Sequence, residues 1–222
     1  MIKKLFMVIF AGMTILLSSC IGSMIKSAMI SAPYANFISL HSNPKVGDYA
    51  VLSSQDDLTT YKYMITSVND ESVFVKLVIN SKESEYFNDF YWELETDLKG
   101  NVKNAYLVSL NGDRDKLTIA TPGKMGYFYP IQAETNELKK FVEENTKEKF
   151  KTSAGSFDVK AEFYESIVNY GNVNKLITVM FVNPDVKFLT VANFNMKILN
   201  DGTKDVVYSY LIEQGNENTK SK

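Results

Sequence analysis

The sequence predicts a mainly β (α+β) fold: a large curved antiparallel sheet, an open half-barrel, with one main helix packed on it. Three observations predict it. From Gly47 onward, runs rich in Val, Ile, Phe, Tyr and Thr alternate with Asn, Asp, Gly and Ser punctuation. The connections are short: Asn69-Asp70-Glu71, Lys99-Gly100-Asn101, Asn111-Gly112-Asp113, Gly171-Asn172 and Asp201-Gly202. Asn-Gly and Asp-Gly pairs supply the positive φ that tight hairpins require, and parallel strands would need long crossovers. Only one long segment has a helical stripe.

The amino terminus reads as an export signal over residues 1–19. Lys3 and Lys4 precede an apolar run from Leu5 to Leu17 that is too short for a span of about 20 residues but suits a signal peptide. Small Ser18 and Ser19 then give a peptidase access to the backbone before Cys20, the single cysteine of the chain. Residues 20–45 read as a tether and docking segment. Met24 to Ile30 suits one or two helical turns, with Met24, Ile25, Ala28 and Met29 on one side. Tyr34, Phe37, Ile38 and Leu40 are too apolar for a free linker, which favours docking on the domain.

Residues 46–215 read as a single β-rich domain, and 216–222 as a polar tail. Expected strands in the first half are Asp48 to Ser53, Tyr61 to Val68, Ser72 to Ile79, Phe87 to Leu94, Val102 to Leu110 and Lys116 to Ala120. Val73, Val75, Leu77 and Ile79 make one apolar face. The helix follows over Glu134 to Lys149, where Leu138, Phe141 and Val142 form a narrow stripe among Glu and Lys. The second half adds Ser156 to Glu165, Lys175 to Val182, Leu189 to Leu199 and Asp205 to Glu213. Phe157, Val159, Ala161 and Phe163 oppose Asp158, Lys160 and Glu162. Lys175 to Val182 is apolar on both faces, so it should be covered on both, the helix being the obvious cover.

Composition excludes several function classes. The formal charge is −2, moving to −4 once Lys3 and Lys4 leave with the signal, and Arg114 is the only arginine. Nucleic-acid binding needs clustered Lys and Arg, so no nucleic-acid partner is expected. One histidine and one cysteine exclude a zinc site built from those residues, and no metal or other cofactor is expected. His41, in the loose early segment, lacks any nearby nucleophile elbow, so no catalytic residue is assigned. The carboxylates Asp56-Asp57, Glu93 with Glu95, and Asp113 with Asp115 read as solvated faces and turns. Asn111 to Asp115 lacks the spacing of a calcium loop. The aromatic groups Tyr86, Phe87, Phe90, Tyr91, Trp92 and Tyr127, Phe128, Tyr129 suit core packing more than a sugar platform or a lipid wall.

Two resemblances sharpen this reading. Leu17-Ser18-Ser19-Cys20 resembles the lipobox of bacterial lipoproteins, which implies cleavage between Ser19 and Cys20 and a diacylglyceryl group on the Cys20 sulfur. Membrane lipid is then a partner through acylated Cys20, and thioether formation removes the lone thiol from an oxidising compartment. Isoleucine rather than aspartate at position 21 would permit outer-membrane sorting, facing the periplasm, in a host with two membranes. Thr152-Ser153-Ala154-Gly155-Ser156-Phe157 resembles a "T-x-A-G-T-F" strand opening of envelope lipoproteins. Pro184 to Phe188 and Leu211-Ile212-Glu213-Gln214-Gly215 match their later motifs in order and spacing, although Met180-Phe181-Val182 stands where those proteins often have tryptophan. Such proteins are similar to the LolA and LppX type, an open bent sheet whose concave face shelters acyl chains. The implied function is non-enzymatic: binding or carrying a lipid or other apolar ligand at the cell envelope. The alternatives are a structural or protein-interaction lipoprotein with a packed core, or a carbohydrate-binding one. The ligand-binding residues and any protein partner stay unassigned.

Overall fold

The computed structural model describes residues 24–132, 136–170, 173–199 and 204–219. The signal, Ser19 and Cys20, the expected helix start at 134–135 and the turns Gly171-Asn172 and Asp201-Gly202 lie outside the described residues. Helix α1 covers residues 24–31. Then come β1 (Asp48–Ser54), β2 (Thr59–Val68), β3 (Val73–Ser81), β4 (Phe90–Thr96), β5 (Val102–Ser109), β6 (Arg114–Lys116) and β7 (Phe128–Ile131). Helix α2 (Asn136–Thr146) leads to β8 (Phe150–Thr152), β9 (Gly155–Phe157), β10 (Lys160–Tyr170), β11 (Val173–Val182), β12 (Thr190–Leu199) and β13 (Lys204–Asn216).

The mainly β expectation holds. Eleven strands form one sheet in the order β6-β5-β4-β3-β2-β1-β13-β12-β11-β10-β7, and β8 pairs only with β9. Its pairings are antiparallel, from β5–β6 at one end to β10–β7 at the other. The sheet is not closed into a barrel: β6 and β7 remain its two edges. Two meanders, β1 to β6 and β7 with β10 to β13, meet at the β1–β13 seam.

Period-two alternation sets the faces. On the inner face of the first meander lie Ala50, Ile65, Val73, Val75, Leu77, Trp92, Leu94, Ala105 and Leu107, all buried in one apolar cluster. In the second meander the larger apolar cluster lies on the outer face. There Ile177, Val179 and Phe181 of β11 and Ala192, Phe194 and Met196 of β12 pack beneath Leu138, Phe141 and Val142 of α2. The Phe141 and Phe181 rings pack against Phe194 at 5.1 and 5.2 Å between centroids.

Residues 34–40 cross between the two edges of the sheet. Tyr34 N donates to Thr118 O (2.8 Å), Ala120 N donates to Tyr34 O (2.8 Å), and Ile38 N donates to Gly100 O (2.9 Å). On the other side Phe128 N donates to Asn36 Oδ1 at 2.8 Å, and Phe37 stacks on Tyr164 of β10 at 4.6 Å. Gly100 is needed here: its φ is +90°, and a Cβ would collide with the Ile38 carbonyl oxygen.

Several boundaries differ from expectation, each for a local reason. Residues 85–89 form a 3-10 turn rather than the start of β4, because the Asn88 side chain holds Ser81 N at 3.1 Å. The strand expected over 116–120 ends at Lys116, since Thr118 and Ala120 spend their backbone groups on Tyr34. The strand expected from Ser156 breaks at Asp158, whose carbonyl accepts from Asn183 Nδ2 at 2.8 Å. The Thr152-to-Phe157 motif is therefore the β8–β9 hairpin instead of a strand opening. Helix α2 stops at Thr146, where Asn145 and Thr146 side chains turn back to Phe141 O and Val142 O. On α1, Met29 and Ile30 pack on the core while Met24 is 71% exposed, so the expected apolar side is rotated. The supposed tail begins inside β13, which runs to Asn216.

Candidate ligand-binding cavity

Between the two meanders the inner face of the sheet leaves a cavity of about 590 Å³. Its wall is mainly apolar: Phe37 and Ile38 from the crossing segment, Leu52 of β1, Tyr61 and Tyr63 of β2, Phe128 of β7, Leu176 and Met180 of β11, and Phe188 from the β11–β12 connection. Strand β11 thus has apolar side chains on both faces, one under α2 and the other on the cavity. Strand β12 does not. Its outer residues are Ala192, Phe194 and Met196, whereas Asn193, Asn195 and Lys197 line the cavity.

Depth follows from register and burial. Leu52, Ile38 and Phe188 are buried and mark the inner end, and Met180 faces Asn193 across the β11–β12 pair. Gln55, Asp56 and Tyr208 are exposed and mark the mouth. Asn193 pairs with Ser209, which pairs with Ser54, so Asn193 stands level with the last residue of β1. Asn195 and Lys197 lie successively nearer the mouth, and Asn193 to Lys197 spans about 13 Å at strand rise. Thr178 Oγ1 donates to Asn195 Oδ1 at 2.8 Å. Asn193 Oδ1 is buried without a hydrogen-bond partner.

The phenols on this wall are neutral. Burial pushes Tyr63 up to about 12, with Tyr61 adding to the effect, and burial likewise raises Tyr61. Tyr164, under Phe37, is raised by burial and by donating to Glu162 Oε2 at 2.8 Å. At the mouth Asp56 is held below the usual carboxylate range by hydrogen bonds from the Ser54 hydroxyl and Leu58 N.

The single histidine belongs to a different arrangement. Asp48, with its side chain 1% exposed, accepts from His41 Nε2 and Lys45 N through Oδ2, both at 3.0 Å. Its Oδ1 accepts from Asn216 Nδ2 at 2.9 Å and faces Lys187 Nζ at 3.3 Å. Asn43 N donates to His41 Nδ1, so the ring proton facing Asp48 sits on Nε2. Burial works to raise the Asp48 carboxyl, but the Asn216, His41 and Lys45 hydrogen bonds and the Lys187 charge outweigh it and hold it below its ordinary value. This hub ties the amino-terminal segment, both seam strands and the β11–β12 connection together.

The other residues singled out from sequence are dispersed. Glu93 pairs with Arg114 Nε at 2.9 Å, and Glu95 accepts from Asn104 at 2.9 Å on the outer face. Asp57 accepts from Tyr210 at 2.7 Å and Ser53 at 3.0 Å. Asn111 to Asp113 is a hairpin turn closed by Asn111, and Asp115 pairs with Lys26 of α1 at 2.8 Å. Among the described residues no group of three or more His, Cys, Asp or Glu side chains is placed to hold a metal ion. Of the aromatic groups, Trp92 is core with Phe87 and Phe90 against it, while Phe128 reaches the cavity. Sequence reading missed Asn193, Asn195 and Lys197. The alternation Asn-Phe-Asn-Met-Lys was visible, but its polar face reads as solvent unless the sheet is known to curl around it.

Among the described residues no helix is long and apolar enough to cross a membrane. No family model matches the sequence, and no curated protein does. The resemblance to the LolA and LppX type therefore stands without a family match. Among solved structures, hypothetical protein CT021 from Chlamydia trachomatis is similar over 79% of this chain and 90% of its own, at 15% identity and a TM-score of 0.41. A protein from Parabacteroides distasonis, provisionally described as a lipoprotein, is similar over 80% of this chain and 99% of its own, at 11% identity and a TM-score of 0.35.

Proposed function

We propose that this protein is an envelope lipoprotein, anchored through acylated Cys20, that binds or carries an apolar ligand without chemical conversion. The cavity is the observation that carries the reading. Its volume of about 590 Å³ falls within the roughly 300–1,000 Å³ of small-molecule sites, and an apolar wall with a few polar groups is their usual make-up. A protein serving only as structure would gain by filling that space, because each lost contact weakens packing.

Native mass spectrometry of the mature protein purified from its host tests the ligand. A copurifying lipid, together with displaceable binding of a hydrophobic dye, is expected. Absence of both overturns the carrier reading. Anchoring is tested separately with Cys20→Ala: metabolic labelling by radioactive palmitate should disappear and the protein should leave the membrane fraction. Unchanged labelling would refute the anchor at Cys20.

A further inference from the structure

The inner face of β12 has chemistry that a purely apolar ligand would not use. Asn193, Asn195 and Lys197 form a polar track from the middle of the cavity to its mouth, while the inner end is closed by Leu52, Ile38 and Phe188. Burying an amide beside an apolar wall is costly unless it is hydrogen-bonded. Asn195 is supported by Thr178, but Asn193 Oδ1 is not supported by any protein group. A ligand that enters chain first would bring its polar end to this level.

Resting on the cavity reading above, we infer that the ligand is a single-chain amphiphile with an uncharged, hydroxyl-bearing head. Asn193 and Asn195 hold the head, and the chain points at Phe188 and Leu52. Size sets the single chain. Taking each non-hydrogen group as roughly the 30 Å³ of a water molecule in the liquid, the cavity holds about 20 of them, enough for one acyl chain and a small head. Chemistry sets the head. An orphaned amide oxygen needs a donor, and a hydroxyl supplies one; if the Asn193 amide is turned over, the same hydroxyl accepts instead. A carboxylate accepts only. The mouth also presents the ionised Asp56 to an incoming anion, whereas Lys197 already has an interaction of its own. The tyrosines Tyr61 and Tyr63 are neutral, so the inner end adds no charge to attract a carboxylate.

The test is competitive displacement of a fluorescent fatty-chain probe from the mature chain carrying Cys20→Ala, at pH 7.4. 1-Monolauroylglycerol and laurate serve as competitors with the same chain, sized to the cavity. Monolauroylglycerol should bind about tenfold more tightly, the scale of one well-placed hydrogen bond. Asn193→Leu should bring the ratio close to one while the protein melts no lower than the parent, since the substitution removes an orphaned polar atom. Equal affinities in the parent, or tighter laurate, overturn the head-group assignment irrespective of any variant. A preference that survives in folded Asn193→Leu also overturns it. If the parent binds neither lipid nor the probe, the cavity reading itself falls.

Discussion

The two meanders share one sheet yet distribute polarity in opposite ways. In β1 to β6 the inner face is dry, and the outer face carries Lys76 over the Tyr91 ring at 3.8 Å, Arg114 over Tyr106 at 3.7 Å and the Arg114–Glu93 pair. In β11 and β12 the outer face is dry under α2, and the inner face carries Thr178, Asn193, Asn195 and Lys197. An antiparallel sheet tolerates one wet face, and helix cover decides which face that is. Where the first meander fills the interior with Val and Leu, the second leaves space lined by amides. A cavity persists there because polar side chains gain nothing from collapsing onto the opposite wall.

Substitutions that fail to respect this inversion should be the most damaging. Phe181→Ala, at the centre of the outer aromatic cluster, should destabilise by about 4 kcal/mol, and Leu94→Ala on the opposite face by about 3 kcal/mol. Urea unfolding of both measures this. A cost under about 1 kcal/mol for either would mean that the corresponding face is not the dry one. Next in size is the seam. Asp48→Ala leaves Lys187, His41 and Asn216 without their shared acceptor and should cost about 3 kcal/mol. Loss confined to one meander, seen by hydrogen exchange, would show that the seam does not couple them.

The same hub predicts a pH dependence. The folded Asp48 carboxyl is depressed, so its contribution is present above the unfolded value of about 3.9 and is lost as pH falls through the lower folded value. Acid unfolding below about pH 4 should therefore be shallower in Asp48→Asn than in the parent, and parallel acid limbs would count against the hub. The smallest effect belongs to the wet outer face of the first meander: Lys76→Ala should cost about 0.5 kcal/mol through loss of its contact with Tyr91. A loss comparable to that of Leu94→Ala would break the distinction between the faces.

Much of the fold was legible because strands announce themselves locally. Val73 to Ile79 alternates cleanly, Lys175 to Val182 carries apolar residues on both faces, and both behave accordingly. The short edge strands were less so. Strand β7 contains Pro130 and only four residues, and β6 was misplaced because a remote partner, Tyr34, claims the backbone of Thr118 and Ala120. From sequence a concave apolar face and a fully packed core both stood open, the former only through the family resemblance; the apolar wall includes Phe128 and Met180 from segments already noted for aromatic or two-faced apolar character. Its polar track was not anticipated, since Asn193 and Asn195 look like any solvent-facing residues of a half-buried strand.

By itself the sequence determined the alphabet of elements: strands from period-two patterns and β-branched residues, hairpins from Asn and Gly pairs, and one amphipathic helix from a period near 3.6. It determined also that one cysteine and one histidine cannot by themselves build a zinc site. Tertiary structure decided which side of each amphipathic strand is the interior. Alternation specifies that two faces differ, but only the placement of α2 and the curl of the sheet convert one polar face into solvent-facing surface and the other into the lining of a cavity.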